Sequence, residues 1–104
     1  MRNIRISPIA KNDLLEIEYY ITSEFDHPEA ARKILSEIVQ CYETLKSHHL
    51  AGRELSSKIF IPTDYRYLIC NDYLIFYKYD SQFIFIYRII AAKRDFVRIL
   101  FDQK

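Results

Sequence analysis

The first half of the chain carries apolar residues at the spacing of amphipathic helices. Ser7 can cap the first free amides of a helix, and Pro8 suits its first position because the missing proline N–H needs no partner there. The pattern predicts a helix over residues 8–24. Its apolar face is formed by residues three or four positions apart, namely Ala10, Leu14, Ile17 and Ile21.

A second helix is predicted over residues 27–47. Asp26 and Glu29 have the spacing of a capping box, in which each side chain accepts a hydrogen bond from the other residue's free backbone amide. Only a short linker, residues 24–28, separates the two helices, so we expect them to form an antiparallel hairpin. The apolar face of the second helix consists of Ala31, Ile34, Ile38, Cys41 and Leu45.

From residue 57 the period changes, and Ile, Tyr and Phe become frequent. These residue types suit the pleated, half-buried surface of a sheet. Short polar breaks at residues 71–72 and 80–82 have the length of hairpin turns, which predicts an antiparallel meander. A short helix is predicted over residues 95–101, with Asp95 as its cap. The predicted strands cover residues 3–7, 58–61, 65–71, 73–79 and 83–90.

The predicted element order is β-α-α-β-β-β-β-α, and we expect one domain over residues 1–104. The fold class is α+β, with the helical hairpin packed on a twisted antiparallel β-sheet. The central strand, residues 73–79, is apolar on both faces. We therefore expect the hairpin to cover one face of that strand and the last helix to cover part of the other.

The composition excludes several classes of protein. The longest apolar runs have five residues, whereas a membrane span needs about 20, so we expect no membrane association. Cys41 and Cys70 form no CxxC motif and are interpreted as buried thiols of a cytoplasmic protein. The cysteines and histidines lack the spacing of a zinc site, and a single glycine allows no glycine-rich phosphate loop. We therefore expect neither a metal nor a cofactor.

Charge is segregated along the chain, although the net charge is only +1. Residues 12–31 contain six acids and neither Lys nor Arg, whereas residues 55–104 contain eight basic and five acidic residues. This pattern is typical of a solvated helix face with scattered surface cations. It also suits a sheet surface that holds phosphate through Arg. Arg66 is the most informative cation, because the strand period places it on the same face as Leu68 and Cys70.

Seven short motifs run along the chain. They are ISPxAxxDLxxIxxYI from Ile6, PEAA from Pro28, GRxL from Gly52, YRxL from Tyr65, NDYLIFY from Asn71, RII from Arg88 and RDF from Arg94. In this order and at these intervals, they resemble the RelE/ParE superfamily of bacterial toxins from type II toxin–antitoxin systems. The resemblance covers nearly the whole chain and agrees with the predicted element order.

The resemblance implies a small toxin that is neutralised by a cognate antitoxin, whose C-terminal segment wraps around it. RelE-like members cut mRNA in the ribosomal A site, and ParE-like members poison DNA gyrase. In RelE-like members, basic residues of the sheet hold the phosphate and stabilise its developing charge. Removing one such preorganised group typically costs about 10²–10³ in rate.

Carried over residue by residue, the resemblance assigns catalytic, phosphate-binding roles to Arg66, Lys93 and Arg94. Arg66 matches the strand arginine of the superfamily, and the other two match the basic loop after the last strand. The remaining candidates are substrate- or target-binding residues, namely Arg53, Lys58, Tyr65, Tyr67 and Arg88. We expect an antitoxin with an acidic C-terminal segment that covers the surface around Arg66 and Lys93.

Three functions remain open. Ribosome-dependent mRNA cleavage, with the ribosome and mRNA as partners, is placed slightly ahead because the three cations match those used on RNA. Many relatives have His or Tyr at the position of Ala91 and Tyr at that of Phe96, so Tyr65, Tyr67 or His48 would have to move the proton. Inhibition of DNA gyrase without catalytic chemistry is the alternative. The third function is that of a degenerate toxin that only binds its antitoxin.

Overall fold

A five-stranded sheet lies at the centre of the computed structural model, which describes residues 1–101. A helical hairpin packs on one face of the sheet and a short C-terminal helix on the other, which confirms the predicted α+β fold class. The strands are β1 (Asn3–Ile6), β2 (Arg53–Glu54), β3 (Arg66–Cys70), β4 (Tyr73–Tyr79) and β5 (Phe83–Ala91), in the spatial order β1-β5-β4-β3-β2. The helices are α1 (Pro8–Phe25), α2 (Pro28–Glu43), α3 (Leu55–Ile59) and α4 (Phe96–Phe101), with a 3-10 turn at Thr44–Lys46.

The first helix of the hairpin is capped as predicted, but the second helix is capped by a different residue. Ser7 Oγ accepts a hydrogen bond from the Ala10 amide at 2.9 Å, which caps α1. Asp26 does not cap α2, because it adopts a left-handed conformation with a φ of 48° and ends α1. His27 takes the cap position of α2 instead, and its Nδ1 accepts from the Ala30 amide at 3.2 Å. Because the linker is short, Asp26 is the residue at which the first helix ends, and the cap position of the second helix falls on the next residue.

Strands β3, β4 and β5 form the predicted antiparallel meander, but the sheet as a whole is mixed. Strand β1 pairs with β5 in parallel, with Asn3 opposite Phe83 and Ile6 opposite Ile86. The expectation of a wholly antiparallel sheet is therefore wrong at this edge. The helical hairpin and strands β2, β3 and β4 separate β1 from β5 in sequence. No tight turn therefore sets the direction of the pairing.

The predicted strand over residues 58–61 is also wrong. Its first two residues belong to helix α3, and the edge strand is the two-residue β2, which pairs with the start of β3. Leu55 and Ile59 lie four positions apart, so a helix directs both side chains onto one apolar cluster, which includes Tyr67. Helix α3 then ends at Phe60, which adopts a left-handed conformation. The aliphatic and aromatic residue types favoured a strand, but the spacing of the buried positions favours a helix.

Both faces of β4 are covered, as predicted. Ile75 and Tyr77 are fully buried against the helical hairpin. Leu74 and Phe76 are buried on the opposite face, in the cluster that contains α4. Asp95 caps α4 as predicted, with its Oδ1 accepting from the Arg98 amide at 3.3 Å. β4 is therefore the central strand of the sheet, with one buried cluster on each of its faces.

The two thiols differ in their burial. Cys70 is buried, with its Sγ 3.6 Å from the Glu37 carbonyl on α2. This burial raises the pKa of the Cys70 thiol to about 12. Cys41 is only half-buried, so the prediction of two buried thiols is correct for Cys70 alone. Within residues 1–101, no helix is both long enough and apolar enough to cross a membrane.

Candidate functional site

Arg66 lies at the start of β3, and one of its terminal nitrogens donates hydrogen bonds to backbone carbonyls. Its Nη2 donates to the Gly52 carbonyl at 2.6 Å and to the Leu50 carbonyl at 3.2 Å. Its Nη1 lies 3.6 Å from Glu54 Oε1 on β2. The Arg66 Nε is buried and has no hydrogen-bond partner among the described residues. The side chain is only 16% exposed, so it acts as a tie between β3 and the loop before β2.

The loop that Arg66 holds is fixed from its other side by Tyr77. The Tyr77 hydroxyl accepts from the Gly52 amide at 3.0 Å and donates to the His49 carbonyl at 2.8 Å. Gly52 is needed there, because a Cβ would lie 2.6 Å from the Tyr77 ring and 2.8 Å from the Tyr67 carbonyl. These contacts preorganise the carbonyls of the loop for the Arg66 guanidinium.

Arg53, Lys58 and Tyr67 lie at the same end of the sheet as Arg66. Together with Glu54 and Ser57, these residues line a shallow, open pocket between β2 and α3. The Lys58 Nζ lies 5.8 Å from the centre of the Tyr67 ring, within reach of a cation–π contact. The fold thus brings together four of the eight predicted site residues, namely Arg53, Lys58, Arg66 and Tyr67.

Lys93 and Arg94 line a different groove, formed by α1, the turn between β3 and β4, and the loop after β5. The groove has a volume of about 760 Å³. Its lining combines apolar rings from α1 with both charges, including Tyr20, Phe25 and Asp72. Both cations are exposed, in contrast to Arg66.

The two groups of cations lie at opposite ends of β3. Arg66 opens the strand, and Cys70 closes it opposite Tyr73. Tyr73 in turn pairs with Ala91, the last residue before the basic loop that contains Lys93. Four residue steps along a strand span about 13 Å. The structure therefore does not bring Arg66 together with the basic loop.

Arg88 is bound to Asp13 on α1. The Arg88 Nε donates to Asp13 Oδ2 at 2.9 Å, and Nη2 donates to Oδ1 at 3.0 Å. The Ile89 amide donates to the same Oδ2 at 2.9 Å. The hydrogen bonds from Arg88 to Asp13 raise the pKa of Arg88. The sequence pattern did not predict this pair, although an acid on the helix face of Ala10 and Ile17 indicates a buried partner.

Tyr65 belongs to an aromatic cluster rather than to the Arg66 pocket. Its ring centre lies 5.6 Å from that of Tyr87 and 6.0 Å from that of Phe101. The Lys78 Nζ lies 4.5 Å from the centre of the Tyr65 ring. Burial, and secondarily the neighbouring Tyr87, raise the pKa of the Tyr65 hydroxyl. Tyr65 is therefore a weaker acid than an exposed tyrosine.

His49 is a titratable group near Arg66 that is not among the residues predicted from sequence. Its Nδ1 lies 2.9 Å from Arg2 Nη1, which donates to it, and its ring packs edge-on against Tyr79 at 4.6 Å. Loss of solvation, together with the nearby Arg2 and Arg66 charges, lowers the pKa of His49. The sequence had pointed to His48 instead. In residues 1–101, no three Asp, Glu, His or Cys side chains group closely enough to hold a metal.

We expect Arg66→Ala to lower the free energy of unfolding by about 1–3 kcal/mol, because the carbonyls of Leu50 and Gly52 lose a charged donor. Urea unfolding followed by circular dichroism measures the loss. The exposed neighbour Arg53 is the matched control, and Arg53→Ala should change stability by less than about 0.5 kcal/mol. Equal stabilities for both variants would show that Arg66 is not a structural tie.

Similarity to known proteins agrees with this architecture. Residues 4–96 match the family described as the ParE toxin of the type II toxin–antitoxin system parDE. A solved structure titled "Chromosomal ParDE TA system from P. aeruginosa" is similar with a TM-score of 0.74 and 24% identity, over 89% of this chain and 98% of that one. No curated protein matches the sequence closely. The structural likeness establishes the fold, and because the family match spans most of the sequence, the chain belongs to the ParE toxin family of type II toxin–antitoxin systems.

Proposed function

We propose that this chain is a growth-inhibiting toxin that binds DNA gyrase in the cytoplasm and performs no chemistry of its own. One observation carries the proposal. Arg66, the leading candidate for a phosphate-binding catalyst, directs Nη2 to the carbonyls of Leu50 and Gly52. A guanidinium held by backbone carbonyls is a poor receptor for the charge that develops on a transferring phosphate. The arrangement favours a binding surface over an active site.

The placement of the other cations supports the same proposal. Transition-state stabilisation needs several donors aimed at one group of atoms. Lys93 and Arg94 line a groove that does not include Arg66. The residues Ala91 and Phe96, which flank the basic loop, have no group that can transfer a proton.

The cognate antitoxin is the second proposed partner. The groove beside Lys93 and Arg94 combines apolar rings with exposed cations, which suits an amphipathic segment that also carries acids. Opposite charges would also speed the capture of that segment. An antitoxin that covers both Arg66 and Lys93 must run along the length of β3, because the two residues lie at its opposite ends.

Ribosome-dependent mRNA cleavage remains a second candidate, and one observation favours it. His49 lies near Arg66, and its lowered pKa favours the neutral form of its imidazole. A neutral imidazole can accept a proton from a ribose hydroxyl. Together with Arg53 and Lys58, this end of the sheet contains the residue types that phosphodiester cleavage requires.

Inducible expression without antitoxin tests these functions, with DNA breaks and RNA ends mapped in the same cells. We expect growth arrest, DNA breaks and intact bulk mRNA. Co-expression of the antitoxin should restore growth and serves as the control. RNA cut at codon boundaries within minutes of induction would overturn the gyrase proposal in favour of cleavage. Normal growth would indicate a degenerate toxin that only binds its antitoxin.

A further inference from the structure

Phe60 occupies a backbone conformation that a bulky residue rarely adopts. It follows α3 with a φ of 60° and a ψ of 27°, in the left-handed region. Its amide donates to the Ser56 carbonyl at 2.9 Å and so closes the helix. Glycine is the usual residue at this position, because a Cβ is unfavourable there. Local structure therefore does not explain why a phenylalanine stands at residue 60.

Packing does not explain it either. The Phe60 side chain is 88% exposed, and the following Ile61 is 42% exposed. The preceding Ile59 packs into the apolar cluster around α4, so the chain turns outward immediately after a buried residue. We call residues 59–62 the Phe60 tip. A strained residue whose ring lies in water gives the isolated chain no stability, and such outliers concentrate at functional sites.

The charges beside the Phe60 tip indicate what it contacts. Arg53 and Lys58 are exposed and line the shallow pocket next to α3. Glu54, the acid in that pocket, lies 3.6 Å from Arg66 Nη1. The tip therefore presents an apolar ring two residues after the exposed Lys58, at the end of the helix that lines this pocket. An apolar pocket bordered by carboxylates is the complementary surface, because buried aromatic anchors supply most of the affinity and rim charges guide the approach.

A protein suits this surface better than a nucleic acid does. Single-stranded nucleic acid is bound by several stacking rings along a positively charged groove. The Phe60 tip offers one ring, followed by the aliphatic Ile61 and by Pro62. Strong binding to a phosphate backbone also needs more contacts than two cations supply.

We propose that Phe60 is the anchor through which this toxin docks on its protein target, inserting its ring into an acidic-rimmed apolar pocket. The assignment of that target as DNA gyrase rests on the proposed function. The proposed antitoxin groove beside Lys93 is not lined by any residue of the Phe60 tip. Substitution of Phe60 should therefore affect target binding and leave antitoxin binding in that groove intact. The strain at Phe60 is then maintained because glycine would relax the backbone but remove the anchor.

Phe60→Gly tests this proposal without harming the fold, because glycine suits the left-handed backbone. We expect a thermal midpoint equal to or above that of the wild type. Binding to purified gyrase should weaken by about 30-fold or more, as for a hot-spot residue. Growth arrest on induction should be lost, while affinity for the cognate antitoxin stays unchanged. Tyr19→Ala, which removes another exposed ring (75% exposed), is the matched control and should retain gyrase binding.

Other results would contradict the anchor or change its assigned target. Retained gyrase binding and growth arrest in Phe60→Gly would mean that the ring makes no target contact. Weakened antitoxin binding with unchanged toxicity would assign the ring to the antitoxin. Loss of affinity for a single-stranded oligonucleotide alone would assign it to nucleic acid. If the wild type arrests growth without binding gyrase, the proposed target is wrong, and loss of arrest in Phe60→Gly still supports an anchor for another protein. A wild type that does not arrest growth overturns the anchor as well.

Discussion

Asp13→Ala should lower the free energy of unfolding by about 3–5 kcal/mol, the loss expected when one member of a buried ion pair is removed. Asp13 is 6% exposed and accepts three hydrogen bonds, two from Arg88 and one from the Ile89 amide. The substitution leaves a charge and a backbone donor without their acceptor inside the hairpin–sheet interface. Thermal unfolding measures this, and the midpoint should fall by ~12 °C or more.

Three further variants isolate the cause of that loss. Glu18→Ala removes an exposed acid from the same helix and should change stability by less than about 0.5 kcal/mol. Asp13→Asn keeps an acceptor for the Ile89 amide and should lose less than Asp13→Ala. The double variant Asp13→Leu/Arg88→Met removes both charges and should lose less than the sum of its single substitutions. Additive losses would show that the two side chains are not energetically coupled.

Gly52→Ala should lower the free energy of unfolding by about 1–3 kcal/mol, because the added methyl group overpacks the loop. The added Cβ would lie 2.6 Å from the Tyr77 ring and hydroxyl and 2.8 Å from the Tyr67 carbonyl. One of these contacts is backbone, so the loop itself must move. That movement also shifts the Gly52 carbonyl, which accepts from Arg66 at 2.6 Å. Chemical denaturation gives the size of the effect.

Ala51→Ser provides the control for Gly52→Ala, because residue 51 is exposed in the same loop. Tyr77→Phe removes the hydroxyl that the added Cβ would meet, and also removes the bonds to Gly52 and His49. The double variant Gly52→Ala/Tyr77→Phe should therefore be less destabilised than the sum of its parts. A Gly52→Ala protein as stable as the wild type would mean that the loop adapts to the extra methyl group freely.

The sequence correctly predicted those elements in which the spacing of the apolar residues alone distinguishes a helix from a strand. The apolar residues of the first two helices and the alternating faces of β4 behave as their periods require. The errors lie where a local pattern competes with tertiary contacts. Residues 58–61 have strand-like residue types, but Leu55 and Ile59 reach one buried cluster only from a helix. The parallel direction of β1 depends on a partner that lies 80 positions away, which no local pattern encodes.

The candidate site was predictable in its residue types and not in its geometry. The sequence indicated Arg66 as a site residue, yet the acceptors of its Nη2 are backbone carbonyls. Every residue type has a backbone carbonyl, so these acceptors cannot be identified from the sequence. It also treated Lys93 and Arg66 as one surface. Only the register of β3, β4 and β5 shows that they lie at opposite ends of the sheet.

Because β1 pairs with β5, the native sheet cannot form until nearly the whole chain has been synthesised. A ribosome produces β1 first and its partner near the end, and the Arg88 that neutralises Asp13 emerges with that same last strand. Until then the growing chain has an unpaired edge and an unmatched acid in its first helix, so its native sheet cannot close. Contacts between such distant segments also form slowly. A chain that ends before residue 83 lacks β5 and the partner of Asp13, so we expect it not to reach this fold.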